Sequence, residues 1–524
     1  MKKQIYKWMS SALIVVLATS FWACGGAGSA ADRLNGANNG NYYAPNGYPS
    51  SGTSVLEDAQ EGISGELNGE DYTQIIENAF IKTAEENHSY FSIDANTASY
   101  PNLRSLINSG YGKTIPKDAV RVEEMLNYFK YDHATPTDGS ILALTSSVFD
   151  NPYNAETKLL TVGLAAQEVQ FTQQQNNLVF LIDTSGSMYS QDKLPLVQAA
   201  FSLLTENLND TDRVSIVTYA GNDKVALDGA FGNQKETISA VIEDLQASGS
   251  TAGSAGIETA YRLAEQYFIE GGNNRVILAT DGDFNVGITG GSALENFIAE
   301  KRESGVYFSV FGVGRGNLQS SKMETLALNG NGTYSYIDSV KEAQRALVQE
   351  IGGTLVTVAK DVKAGIIFNA DYIDSYRLIG YENKLLTEEE FEDDATDAGE
   401  LGSGHTVTVA YEVKLTEKEF AEGENLAQVT VKYKPTENSG GAEDVSQELL
   451  LDIPTAQYHQ TLTATDSFIA SVIEFALILR DSTYKGTADL NALITRLDDL
   501  DLSNDEYKTE FRDLVKTYRT NLEN

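Results

Sequence analysis

The chain has a single cysteine, Cys24, which excludes an intrachain disulfide framework and any cysteine-based zinc site. It has only four histidines, His88, His133, His405 and His459, and no two lie within a few residues of each other. That scatter argues against histidine-ligated metals and against Ser-His catalysis. Positive charge is scarce: 38 Lys and Arg against 75 Asp and Glu give a formal net charge of -37. Phosphate backbones repel a polyanion of that size and no basic stretch offsets it, which argues against nucleic-acid binding. Beyond the N-terminal leader no hydrophobic run approaches membrane length. Hydrophobic residues still make up 41% of the 524 and charged residues 22%, so most of the chain can bury cores. At roughly 150 residues per domain the length allows about three domains.

Residues 1–24 read as an export leader. Lys2, Lys3 and Lys7 precede the apolar run Ser11-Ala-Leu-Ile-Val-Val-Leu-Ala18, and Ala23-Cys24 closes it. The run is too short to span a bilayer as an anchor. A cysteine directly after a small residue at this place resembles a bacterial lipoprotein box, in which Cys24 becomes the lipidated first residue of the mature chain. The alternative is a plain secretory leader with an incidental cysteine. The lipoprotein is preferred because the chain's one cysteine falls at this one position. Residues 24–72 are rich in Gly, Asn, Ala and Ser and poor in large aliphatics, so they read as a flexible tether after a 1–23 signal peptide.

The rest divides by pattern. Residues 73–139 read as a mixed region with amphipathic helices at 73–86 and 120–129. Residues 140–176 alternate like two strands. From 177 to 353 short apolar runs alternate with helices at 193–208, 235–245, 256–269, 292–304 and 341–351, the mark of a doubly wound, Rossmann-like parallel sheet covered on both faces. Residues 354–465 return to strands with turn signals, and 466–524 are helical. Two strands at 140–168 cannot form a stable sheet alone. We therefore expect the α/β unit to be inserted into a β-sandwich built from both flanks, with the N- and C-terminal helices packed together beside it. The two connections should then lie close together on the face opposite the site described next.

At the end of the first α/β strand stands Asp183-Thr-Ser-Gly-Ser-Met188. Asp183, Ser185 and Ser187 at spacing i, i+2, i+4 place three oxygen groups at the carboxyl edge of the sheet, where open α/β sheets bind ligands. Gly249-Ser-Thr-Ala-Gly253 adds Thr251, and Thr280-Asp281-Gly282 adds a second carboxylate from a later strand end. Two carboxylates and three hydroxyls make a hard, all-oxygen site of low charge, suited to Mg²⁺ or Mn²⁺ rather than Zn²⁺.

These five residues, in this order, resemble the metal-ion-dependent adhesion site of von Willebrand factor type A domains over about residues 177–353. The flanks Phe91-Ser-Ile-Asp-Ala-Asn-Thr-Ala-Ser-Tyr100, Val120-Arg-Val-Glu-Glu-Met-Leu-Asn-Tyr-Phe129, Tyr376-Arg-Leu-Ile-Gly-Tyr381, Asp397-Ala-Gly-Glu400 and Gly404-His-Thr-Val407 resemble the bacterial YfbK-type lipoprotein branch. The resemblance implies that Asp183, Ser185 and Ser187 surround the cation, that Thr251 joins when ligand is engaged, and that Asp281 acts mainly through water. It further implies that a partner carboxylate fills the remaining position. A site short of negative charge leaves the cation electrophilic, so an incoming Asp or Glu gains a charge-assisted bond. The cation would also reverse the local sign of an otherwise acidic protein.

Competing motifs fail on particular residues. Asp281-Gly-Asp-Phe-Asn-Val-Gly lacks the EF-hand glycine (Val286) and the twelfth-position Glu (Ser292). At 499–510 a capping box, Ser503-Asn-Asp-Glu506, is the better reading than a calcium loop. Gly312-Val-Gly-Arg-Gly-Asn317 ends in Asn and follows a late strand, so no nucleotide is expected. Ser185 lacks a nucleophile elbow and a nearby base. His405 reads as a turn or sheet-edge hydrogen-bonder, Asp397–Glu400 as a solvated loop, and Asp94 with Arg104 as a structural pair. The expectation is a non-enzymatic lipoprotein of the bacterial envelope, at the outer membrane or cell surface. It would touch the membrane only through its lipid and bind a protein that exposes Asp or Glu. The alternative is an assembly factor of an envelope complex, with the metal mainly stabilising the fold.

Overall fold

The computed structural model describes residues 70–524 apart from 138, 170–174, 250–255, 283–290, 437–438, 440–444 and 524. Cys24, the leader, the tether to residue 69 and Thr251 lie outside the described residues. All described residues belong to one compact unit, Gly62–Asn524.

The apolar run from Leu178 to Ile182 is buried on both faces because its strand, Asn176–Asp183, lies at the middle of a six-stranded sheet. The order across that sheet is Tyr334–Ile337, Val306–Val313, Asn273–Thr280, Asn176–Asp183, Arg213–Ala220, Asn222–Phe231. Every neighbouring pair is parallel except the last, which is antiparallel. Helices Leu194–Glu206 and Val340–Gln344 help to cover one face, through Leu194, Phe201 and Ala343. Helices Gly256–Gln266, Gly291–Arg302 and Ser320–Asn329 cover the other, through Ile257, Leu294 and Met323. Strand order reverses between Asn176–Asp183 and Asn273–Thr280. At such a reversal the connecting chains diverge to opposite faces and leave a crevice at the carboxyl edge.

The nested arrangement is present. Leu142–Asp150 and Lys158–Ala166 form a hairpin ahead of the α/β unit, and Lys158–Ala166 pairs along Thr406–Leu415, which follows it. Ile373–Ile379, Ile81–Lys82 and Tyr458–His459 complete that sheet. The facing sheet runs Leu385–Leu386, His88–Ser92, Thr357–Phe368, Asn425–Pro435, Gln447–Pro454, with Gly399–Gly402 also paired to Thr357–Phe368. Leu160, Val162, Ile366, Tyr411 and Val429 fill the space between the sheets. Ser403 closes the seam where the chain enters and leaves the α/β unit. Its Oγ accepts from the Val169 N–H at 2.6 Å and donates to the Val169 carbonyl at 2.9 Å, and its N–H donates to the Val356 carbonyl at 2.8 Å. This seam lies at the end of the sheet opposite Asp183.

Ser99–Asn108, Val122–Asn127, Ala464–Arg480, Leu490–Asp498 and Glu506–Glu523 share a third core through Leu103, Met125, Phe129, Phe475, Leu497 and Phe511. Residues 73–86 do not form the expected helix. Tertiary partners claim that backbone: the Ile75 N–H donates to Asp118 Oδ1 at 2.9 Å, and the Asn78 amide bonds the Leu378 and Gly380 carbonyls. Ile76, on the supposed apolar face, is 77% exposed. The last helix is capped by Asp505, whose Oδ1 accepts from the Tyr507 and Lys508 N–H groups, rather than by Ser503. The 388–400 stretch is not a solvated loop throughout: Glu400 is buried on the strand Gly399–Gly402.

Candidate metal centre

Asp183 ends its strand fully buried, and the chain turns over it in a short helical turn, Gly186–Tyr189, pinned by the buried Met188. The Ser185 N–H donates to Asp183 Oδ1 at 2.8 Å, and Thr280 Oγ1 donates to Oδ2 at 3.3 Å. Ser185 Oγ and Ser187 Oγ stand 2.9 Å apart. Ser185 is buried and Ser187 half-buried, so the hydroxyls climb from the sheet edge toward solvent. The chain just before Thr251 is tied to this loop: the Ser248 N–H donates to the Thr184 carbonyl and the Gly186 N–H to the Gly249 carbonyl.

Asp281 follows the neighbouring strand, across the strand-order reversal from Asp183, and is also buried. Burial pushes the Asp183 carboxyl up to about 6, the charge of Asp281 adds to the rise, and the bonds from Ser185 and Thr280 oppose it. The Tyr219 phenol beside them is held well above its usual range by burial and then by the Asp183 charge. Two buried carboxylates that repel each other, with hydroxyls alongside and neither sulfur nor imidazole, fit a hard divalent cation. Asp183, Ser185, Ser187 and Asp281 are brought together; Thr251 lies outside the described residues.

Lys193 was not anticipated. Its Nζ lies 2.7 Å from Asp281 Oδ2, and its side chain is 9% exposed. It reaches the site past Gly314, at φ +70°, where a Cβ would fall 2.3 Å from Lys193 Cγ. The motif around Gly314, tested in sequence only as a nucleotide loop, serves here as a slot for the lysine stem. Nothing in the spacing of Lys193 signals this, because the contact joins one strand-to-helix connection to another strand's end.

Elsewhere the charged residues form struts. Arg104 does not pair with Asp94. It donates to Asp338 at 2.8 and 2.6 Å, Glu342 at 2.8 Å, Glu510 at 2.6 Å and Tyr128 Oη at 2.9 Å, and so ties the last helix of the α/β unit to both terminal helical segments. Asp94, Glu124 and Glu324 form a second buried acidic cluster, and Lys384 and Arg121 are already paired into it. His405 Nδ1 accepts from the Gly402 N–H at 3.2 Å, as a turn residue would.

Three family descriptions match successive parts of the chain: von Willebrand factor over residues 66–161, von Willebrand factor type A domain over 177–350, and uncharacterized protein YfbK, C-terminal, over 353–520. Fold and sheet edge together define a von Willebrand factor type A domain protein. YfbK of Escherichia coli (strain K12) is 42% identical over 386 residues, which is 72% of this chain and 66% of that protein. The chain belongs to the YfbK-like family of type A domain proteins, and it spans just under two thirds of the length of that relative. Among solved structures, a von Willebrand factor type A protein from Catenulispora acidiphila is 16% identical at TM-score 0.39, covering 66% of this chain and 80% of its own. BatB from Bacteroides thetaiotaomicron is 22% identical at TM-score 0.28, covering 34% of this chain and 97% of its own. A type A domain points to a protein-interaction or adhesion role, and type A domains commonly bind a metal. Among the described residues no helix is long and apolar enough to cross a membrane.

Proposed function

We propose that this chain is a non-enzymatic, lipid-anchored envelope protein that binds a protein partner through Mg²⁺ or Mn²⁺ held by Asp183, Ser185, Ser187, Thr251 and Asp281. The observation that carries the reading is the meeting of two buried carboxylates and two serine hydroxyls at the strand-order reversal. A cation bound there would offer a coordination position to a carboxylate, so the partner exposes Asp or Glu. Four residues converge from two strand ends, and among the described residues no histidine reaches Ser185 or Ser187 to form a nucleophile–base pair. Ser185 meets Ser187, and the histidines are engaged elsewhere: His133 on Thr408, His405 on Gly402, His459 on Asp466, His88 on Glu86. Anchoring rests on Cys24 at the end of the leader.

A second reading has support from the struts. With Arg104 locking the α/β unit's last helix to both helical flanks, the domain could serve as a fixed part of an envelope assembly, with the metal stabilising it. Pull-downs from envelope extract separate the two. Adhesion through the site requires a partner retained in Mg²⁺ and lost both in EDTA and with Asp183→Ala. A partner held equally in all three conditions would sink the adhesion mechanism.

A further inference from the structure

We propose that Lys193 is a built-in competing cation that sets the affinity of the metal centre from within; this rests on the metal reading above. Three observations support it. The ammonium sits 2.7 Å from Asp281 Oδ2, the side chain is nearly fully buried, and its stem runs past Gly314, where any Cβ would collide with it. A lysine on a protein surface holds a carboxylate loosely through water and entropy-rich rotamers. This one is confined by its surroundings, so its head group stays at the Asp281 carboxylate.

The electrostatics follow. Among the described residues here, Asp183 and Asp281 supply two negative charges and Lys193 one positive, so the lysine offsets half of the charge that would attract a cation. Without metal the lysine relieves the repulsion between the buried carboxylates and keeps Asp281 poised. A divalent ion drawn to Asp281 must then share that carboxylate with an ammonium of the same sign, at a distance where one unit charge moves an equilibrium by a factor of about ten or more. Lys193 therefore weakens metal binding while stabilising the metal-free fold. The site becomes one that loads and unloads with the surrounding divalent concentration rather than holding a permanent ion.

The test is calorimetric titration of Mg²⁺ and Mn²⁺ into the full folded chain as wild type, Lys193→Met, Lys193→Gln and Asp183→Ala, with thermal melting of each in EDTA and in saturating Mg²⁺. Both lysine variants should bind metal about tenfold or more tightly than wild type. Each should melt lower in EDTA and show a larger rise on adding Mg²⁺. Wild-type binding that Asp183→Ala abolishes, with Lys193→Met and Lys193→Gln no tighter than wild type, would overturn this inference and leave the metal centre standing. Weaker binding in the lysine variants would make Lys193 a positioning residue for Asp281 and equally overturn it. If neither the wild type nor the lysine variants bind either ion, the metal centre itself fails and this inference with it.

Discussion

Replacing Arg104 by methionine keeps most of the side-chain volume but removes a guanidinium that serves three carboxylates and a phenol at once. Asp338 and Glu342 are left in place with side-chain exposures of 7% and 2%. Glu342 keeps its bonds from Tyr128 Oη and Arg345 Nε; Asp338 keeps only Ser339 Oγ among the bonds described. Burial already pushes the Asp338 carboxyl above its ordinary range with the arginine present. Breaking a buried ion pair from one side costs about 3–5 kcal/mol, because it leaves charge unpaired in a poorly solvated place. Scanning calorimetry converts that into temperature. If the folded body melts as one unit, its large unfolding entropy limits the loss to about 1 °C per kcal/mol. If the α/β unit melts separately, the loss is about 2–4 °C per kcal/mol, or roughly 6–20 °C in all. The size of the shift thus reports whether the strut couples the α/β unit to the rest. Adding Asp338→Asn to Arg104→Met should recover part of the loss, since it removes the carboxylate left without a cationic partner, whereas Glu342 keeps Arg345. A shift below about 1 °C, or no recovery in the double variant, would refute the argument that this arginine fastens the α/β unit to the helical flanks.

Two further variants probe the junction with the sandwich. Glu400 is buried, neither of its oxygens has a hydrogen-bond partner among the described residues, and burial followed by the charges of Asp361 and Asp397 holds its carboxyl well above the usual range. A raised carboxyl loses its stabilising contribution as pH rises through the folded-state value. Glu400→Gln should therefore melt higher than wild type at about pH 8, with the gap narrowing toward about pH 5 in a melting series; a gap that widens on acidification would contradict this. At Gly402 a Cβ would fall 1.8 Å from the Gly353 carbonyl oxygen, so Gly402→Ala must displace backbone at the exit seam. The expected cost is about 3 kcal/mol in a urea titration, and a midpoint equal to wild type would show that the seam is loosely packed.

The α/β unit was legible because its buried strands are apolar runs, unbroken at 178–182 and broken at 306–313 only by Ser309 and Gly312, and its helices carry a clear period. The nesting was legible from arithmetic alone, since two strands before the unit need partners from beyond it. What the sequence hid were elements defined by their neighbours. Asn222–Phe231 alternates weakly because it is an edge strand, and Tyr334–Ile337 is only four residues long. His88–Ser92 reads as part of a helical region yet pairs with Thr357–Phe368, more than 270 residues away. At the site, Asp183, Ser185, Ser187 and Asp281 follow from strand ends, which sequence does mark. Lys193 does not, because its role depends on which connection crosses which edge. The same holds for Arg104, whose partners Asp338, Glu342 and Glu510 lie on two distant helical segments.

A divalent cation held at the folded sheet edge beside Asp183 would make the stability of the fold depend on Mg²⁺. Thermal melting of wild type and Asp183→Ala across a Mg²⁺ titration tests it most directly. A cation bound only by the folded state stabilises it by ~2.7 kcal/mol at a hundredfold excess over Kd. The melting temperature should climb with Mg²⁺ in the wild type and stay flat in Asp183→Ala. An equal climb in both proteins would contradict it and place the metal somewhere other than this edge.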